Sequence, residues 1–168
     1  MDEARINGSM IVTEQIPHGV AIFCDDIREE VGGKSSFMGV YGSDLLTHSD
    51  FPLVIPRLGL SIIYREPAGM YSGDLEVIVF LPGDDDDKPS MQVAMRIEEL
   101  TTTSERLDDE NSKGKFLIVR SNSLLGNLQL KQEGKIKVRI RRGGHTTNLG
   151  ILHVKKIKPS QPPATPPA

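Results

Sequence analysis

GVAIFCDDIREEVGGKSSFMGVY, residues 19–41, decides how the chain folds. An apolar run from Val20 to Cys24 stops at Asp25-Asp26, and a polar stretch containing Gly32-Gly33 follows. The chain then turns apolar again through Phe37, Met38, Val40 and Tyr41. Two strands, at about 19–25 and 36–42, joined by a polar connection account for this pattern. Glu29 and Glu30 can open a helical turn, but Gly32-Gly33 ends it before it gains length.

The same pattern recurs downstream. Pro52 and Pro56 bracket Leu53-Val54-Ile55, so 47–56 reads as a loop with at most a brief edge contact. In 57–66, Leu58, Leu60, Ile62 and Tyr64 share one face and Gly59, Ser61 and Ile63 the other. In DLEVIVFLPG (74–83), Leu75, Val77 and Val79 alternate with Ile78 and Phe80, the mark of a central strand buried on both faces. Met91, Val93, Met95 and Ile97 alternate with polar or small residues. Another apolar segment starts at Phe116 and is interrupted at Gly126-Asn127, which reads as a bulge or turn. The last hairpin is the clearest local structure. Ile136, Val138 and Ile140 face one way, Lys135, Lys137, Arg139 and Arg141 the other, and Gly143-Gly144 makes the turn. Leu149, Ile151, Leu152 and Val154 are the core candidates of the return strand, with its register open near Gly150.

About eight strands with no alternating strand–helix rhythm predict an all-β, single-domain, antiparallel β-sandwich of immunoglobulin-like or Greek-key topology. A partly open barrel is the alternative. The domain is expected over 16–158, after a flexible segment at 1–15 and before a disordered Pro-rich tail at 159–168. Residues 98–114 read as a mobile polar loop.

At 168 residues the chain is long enough for one well-formed core and short for two. No run approaches the about 20 apolar residues of a membrane span, and MDEARINGSM does not read as a secretion signal. With one cysteine, Cys24, no intramolecular disulfide forms, so a reducing, cytoplasmic setting is expected. The net charge of −3 conceals an asymmetry. Residues 131–158 carry nine Lys or Arg against one acid, a net +8, which leaves −11 for the rest. The terminal hairpin therefore has local anion affinity within an acidic protein.

CDDIREEVGGK (24–34), FMGVYGSDL (37–45) and FPLVIPRLGL (51–60) together resemble a family of small bacterial cytosolic β-rich proteins with no assigned activity. The likeness covers Val20 to Tyr64 and extends loosely to EGKIKVRIRRGG (133–144) and LGILHVKK (149–156). It implies a stand-alone β-sandwich domain and carries no catalytic residue to this chain.

Two clusters merit weighing as sites. Asp25, Asp26, Arg28, Lys34 and Tyr41 are the candidate anchors of a small-molecule or nucleotide site, with hydrolysis among its readings. The bland reading is a solvated acidic rim, or salt-bridging and turn-capping carboxylates. Counting strands separates Asp25-Asp26 from Asp84–Asp87, so a shared metal site is not expected. Lys135, Lys137, Arg139 and Arg141, joined by Arg142, form a row that can meet an acidic protein partner. The bland reading is a solvated edge. Nucleic acid is the less favoured partner, because no aromatic side chain interleaves the row. The four histidines (18, 48, 145 and 153) form no metal-ligand pair, Cys24 reads as a small buried hydrophobe, and Lys34-Ser35 is too short a match to a P-loop. No catalytic residue, metal or cofactor is indicated. The reading is an interaction or accessory module, not an enzyme, acting through surface loops and the basic hairpin. A small-ligand binder and a weak polyanion binder are the alternatives.

Overall fold

The computed structural model describes residues 16–96 and 116–157. Every regular element among them is a strand: β1 (His18–Cys24), β2 (Asp26–Glu30), β3 (Lys34–Met38), β4 (Asp44–Thr47), β5 (Leu53–Pro67), β6 (Leu75–Phe80), β7 (Met91–Met95), β8 (Phe116–Leu130), β9 (Gly134–Arg142) and β10 (His145–Lys156). They form a three-stranded sheet β1-β5-β8, a five-stranded sheet β4-β10-β9-β6-β7 and the β2–β3 hairpin. The flexible segment expected at 1–15, the mobile loop expected at 98–114 and the disordered tail expected at 159–168 lie outside the described residues.

Alternation in β5 and β8 builds the first wall of the core. The two strands pair antiparallel from Leu53↔Leu130 to Pro67↔Phe116 in one unbroken register. The ladder skips only Pro56 opposite Asn127, where proline has no N–H to give and Asn127 has φ 51°. Leu58, Leu60, Ile62 and Tyr64 all point inward and are essentially buried, as their spacing predicts. So do Val77 and Val79 of β6, Ile136, Val138 and Ile140 of β9, and Leu149, Leu152 and Val154 of β10. One continuous cluster joins these residues across both main sheets. Each such side chain contributes about 1.5–3 kcal/mol by leaving water.

The chain departs from its sequence reading in four places. There are ten strands, not about eight. Asp26–Glu30 is a strand paired with Lys34–Met38, not a helical turn, since the polar side chains find partners on its neighbours. Leu53–Pro67 is one long strand and runs straight through Pro56. Asp44–Thr47, where no strand is expected from the sequence, is a short edge strand that pairs parallel with β10, so the fold is not wholly antiparallel.

The two sides of the molecule differ. At one side β1 lies against β10 where both are thin. A Cβ on Gly19 would come within 2.5 Å of the Ile63 carbonyl oxygen and 2.7 Å of a Leu149 methyl. A Cβ on Gly150 would meet Ala21 at 3.1 Å. A bulge between Asn148 and Gly150 turns both Leu149 and Leu152 inward, and leaves Ile151 half exposed on the outside. At the other side β7 and β8 are edge strands. A small apolar recess of about 90 Å³ opens there between Val77, Met91, Val93, Met95 and Leu125.

Candidate functional site

The Asp25-Asp26 pair marks the corner where β1 passes into β2. The Asp25 N–H donates to the Met38 carbonyl at 2.9 Å, and the Tyr41 N–H to the Phe23 carbonyl at 2.8 Å. The Asp25 carboxylate accepts from the Tyr41 hydroxyl at 2.6 Å. Gly39, at φ 62°, leaves room for this group, since a Cβ there would lie 2.0 Å from Asp25 Oδ2. Burial, then the bond to Asp25, pushes the Tyr41 phenol up to about 12. Asp26 turns to other partners. Its Oδ1 pairs with Arg57 Nη1 at 2.7 Å, and its Oδ2 lies 3.7 Å from Arg28 Nε. The hydrogen bond from Arg57, outweighing the desolvation that opposes it, holds Asp26 below its ordinary carboxylate value. The two carboxylates thus brace a bend, each with its own partners, and do not converge. Cys24, next to them, is buried with its thiol pushed up by that burial, and its Sγ faces the Asp26 carbonyl at 3.4 Å.

Beyond the bend the β2–β3 hairpin folds over the outer face of the three-stranded sheet. Asn122 of β8 holds it there, donating from Nδ2 to Glu29 Oε1 at 3.0 Å and to Ser35 Oγ at 2.9 Å. Between hairpin and sheet lies a cleft of about 530 Å³, lined by Glu29, Lys34, Phe37, Ile63, Ile118 and Arg120 among others. Of the five sequence-selected anchors, only Lys34 lines it. Asp25, Asp26, Arg28 and Tyr41 sit at the bend instead. Ile118, Arg120 and Asn122 were not singled out in sequence. Their two-residue spacing in β8 matched Ser61 and Ile63 on the lightly apolar face of β5, and this was the available signal.

The basic row is real but is not a free strip. Lys137, Arg139 and Arg141 stand on the outer face of the five-stranded sheet opposite Phe80, Ile78 and Glu76. Phe80 is buried on that outer face because the cationic side chains lie over it. Lys137 Nζ and Arg139 Cζ are 5.0 and 4.7 Å from its ring centre. Asp86 reaches in from the loop after β6 to both, at 2.9 Å from Lys137 Nζ and 3.3 Å from Arg139 Nη2. The Lys137 hydrogen bond and charge, then Arg139, lower the Asp86 pKa. The same loop is pinned by Asp84. Burial opposes its ionisation, but N–H groups of Leu81 and Ser90 and the Ser90 hydroxyl more than offset that, and its pKa falls. Arg141 lies 3.4 Å from Glu76. Lys135 has no acid partner among the described residues.

Arg142 does not belong to the row. The alternation that turns Arg141 outward turns Arg142 inward, where it is 8% exposed. Its Nη1 lies 2.7 Å from Glu66 Oε1, an ion pair by distance though without hydrogen-bond alignment, and its Nη2 donates to the Tyr71 carbonyl at 3.1 Å. Glu66 also accepts from the Tyr64 hydroxyl at 2.8 Å, and His145 stacks on Tyr71 at 4.5 Å. Burial of Tyr64, then its bond to Glu66, raises the phenol pKa. This is a structural knot at the end of the core, closed to a partner.

Among the described residues no three His, Cys, Asp or Glu side chains group so as to hold a metal ion. Nor is any helix among them long and apolar enough to cross a membrane. No family model, curated protein or solved structure matches the chain.

Proposed function

We propose that this chain is a non-enzymatic interaction or accessory module that engages a protein partner with an acidic surface. The observation that carries the reading is the outer face of the five-stranded sheet. Lys135 and the partly neutralised Lys137, Arg139 and Arg141 stand there in a fixed row, with Ile151 and Leu46 exposed on the same face. A cationic strip beside apolar side chains gives a partner both steering and contact area. The anchoring over Phe80 supports this, because cations already held in place lose little side-chain freedom on binding. The β-sandwich architecture, membership of the bacterial family of unknown activity and a cytoplasmic setting belong to the same proposal. Separate hydrogen-bonded sheets around one core support the first.

The test is affinity capture from a lysate of the producing organism at two salt concentrations, with a Lys135→Glu/Arg141→Glu variant alongside. A specific protein held by the native chain, released by salt and lost by the variant is the expected result. Equal retention by both chains contradicts the placement of the surface.

A further inference from the structure

We propose that the cleft between the β2–β3 hairpin and the three-stranded sheet binds a small organic anion with an apolar body. Its carboxylate or phosphate head would sit at Lys34 and Arg120, and its body over Phe37, Ile63 and Ile118. This site lies on a different sheet from the basic row and stands apart from the reading of that row.

Three observations carry it. The first is size, since about 530 Å³ falls within the range of about 300–1,000 Å³ typical of small-ligand sites. The second is the lining, which combines an apolar floor with a few polar groups. Ile63 and Ile118 are only partly buried, so the sheet leaves apolar surface facing the cleft. The third is the charge balance. The lining carries two cations, Lys34 and Arg120, against one carboxylate, Glu29, and that carboxylate is held in place by Asn122 Nδ2 at 3.0 Å and Ser35 Oγ at 3.3 Å, so the cleft keeps a net positive charge. Lys34 and Arg120 make no ion pair with any described residue, unlike Lys137, Arg139, Arg142, Lys155 and Lys156 elsewhere on the chain. Two such cations at one apolar cleft favour an anion, and the planar guanidinium of Arg120 suits a head group with two oxygens. An exposed cation is commonly just solvated. What separates these two from that case is the apolar floor between them.

Octanoate and octyl phosphate are suitable probes, with octyltrimethylammonium as the oppositely charged control of the same tail. The full-length, ¹⁵N-labelled chain is titrated with each and followed by amide chemical shifts. The expected result is saturable shifts at residues 33–37 and 118–122 with at least one anion and none with the cation. The tighter anion identifies the head group. Lys34→Glu/Arg120→Glu, or the milder Lys34→Gln/Arg120→Gln, raises Kd at least tenfold, while Lys135→Glu/Arg141→Glu leaves it unchanged. Both cleft positions are exposed, and the unliganded spectrum reports whether each variant keeps the native fold. Equal shifts with the cation overturn the proposal. So do shifts centred on the recess by Met91, Val93 and Met95, or no saturable shift with either anion.

Discussion

Tyr41 and Asp25 fix the bend that separates the first strand from the hairpin, and their bond needs a neutral phenol. Because folding raises the Tyr41 pKa from its ordinary 10 to about 12, the folded chain holds that proton more tightly than the unfolded one. The contribution is therefore complete below pH 10 and fades as pH climbs towards 12. Denaturant unfolding between pH 9 and 12 should show a loss of stability that Tyr41→Phe reduces. An unchanged alkaline limb in that variant would remove Tyr41 from the account. The Glu66–Arg142 pair carries a larger consequence. Glu66→Ala leaves a buried guanidinium uncompensated and is expected to cost about 3–5 kcal/mol in urea unfolding. A loss under 1 kcal/mol would mean that the pair is far more solvated than its burial indicates. In sequence these residues were half legible. Asp25 and Asp26 stood out as a pair, and capping was among their readings. Glu66 did not stand out, because only the pairing of β5 with its neighbours and the end of β9 brings it to Arg142.

The strands whose alternation is strict were readable, and for a physical reason. A strand with one wet face must repeat every two residues, so β5 and β9 declare their inward sides, while β6, buried on both faces, shows as a near-continuous apolar run. The hairpin β2–β3 does not, because it lies on the outside of a sheet and its polar side chains bond to one another and to Asn122. The short β4 was missed for a related reason. Four residues at an edge, paired parallel, carry too little pattern to distinguish from loop. The closure of β1 on β10 was also invisible in the sequence, since it depends on two glycines 131 positions apart. Gly19→Ala places a methyl against the Ile63 carbonyl oxygen and Leu149, and should destabilise the chain by about 1–3 kcal/mol in urea unfolding. A neutral result there would show that β1 and β10 can part without cost.

At the scale of the molecule, charge is distributed unevenly and then partly rebalanced by the fold. The +8 of residues 131–158 was plain from composition. Its fate was not. Asp86, Glu76, Asp44 and Asp50 come from separate loops and strands to meet Arg139, Lys137, Arg141, Lys155 and Lys156, and Arg142 leaves the surface altogether. What remains is a moderate cationic face with exposed apolar neighbours, suited to an acidic protein surface better than to a long polyanion. The most direct test of that claim is the equilibrium affinity for the captured partner at 50 and 200 mM salt, measured for the native chain and for Lys135→Glu/Arg141→Glu. The account predicts binding that weakens several-fold with salt in the native chain, and at least tenfold weaker binding by the variant at low salt. Native and variant chains that bind alike, with no dependence on salt, would contradict it.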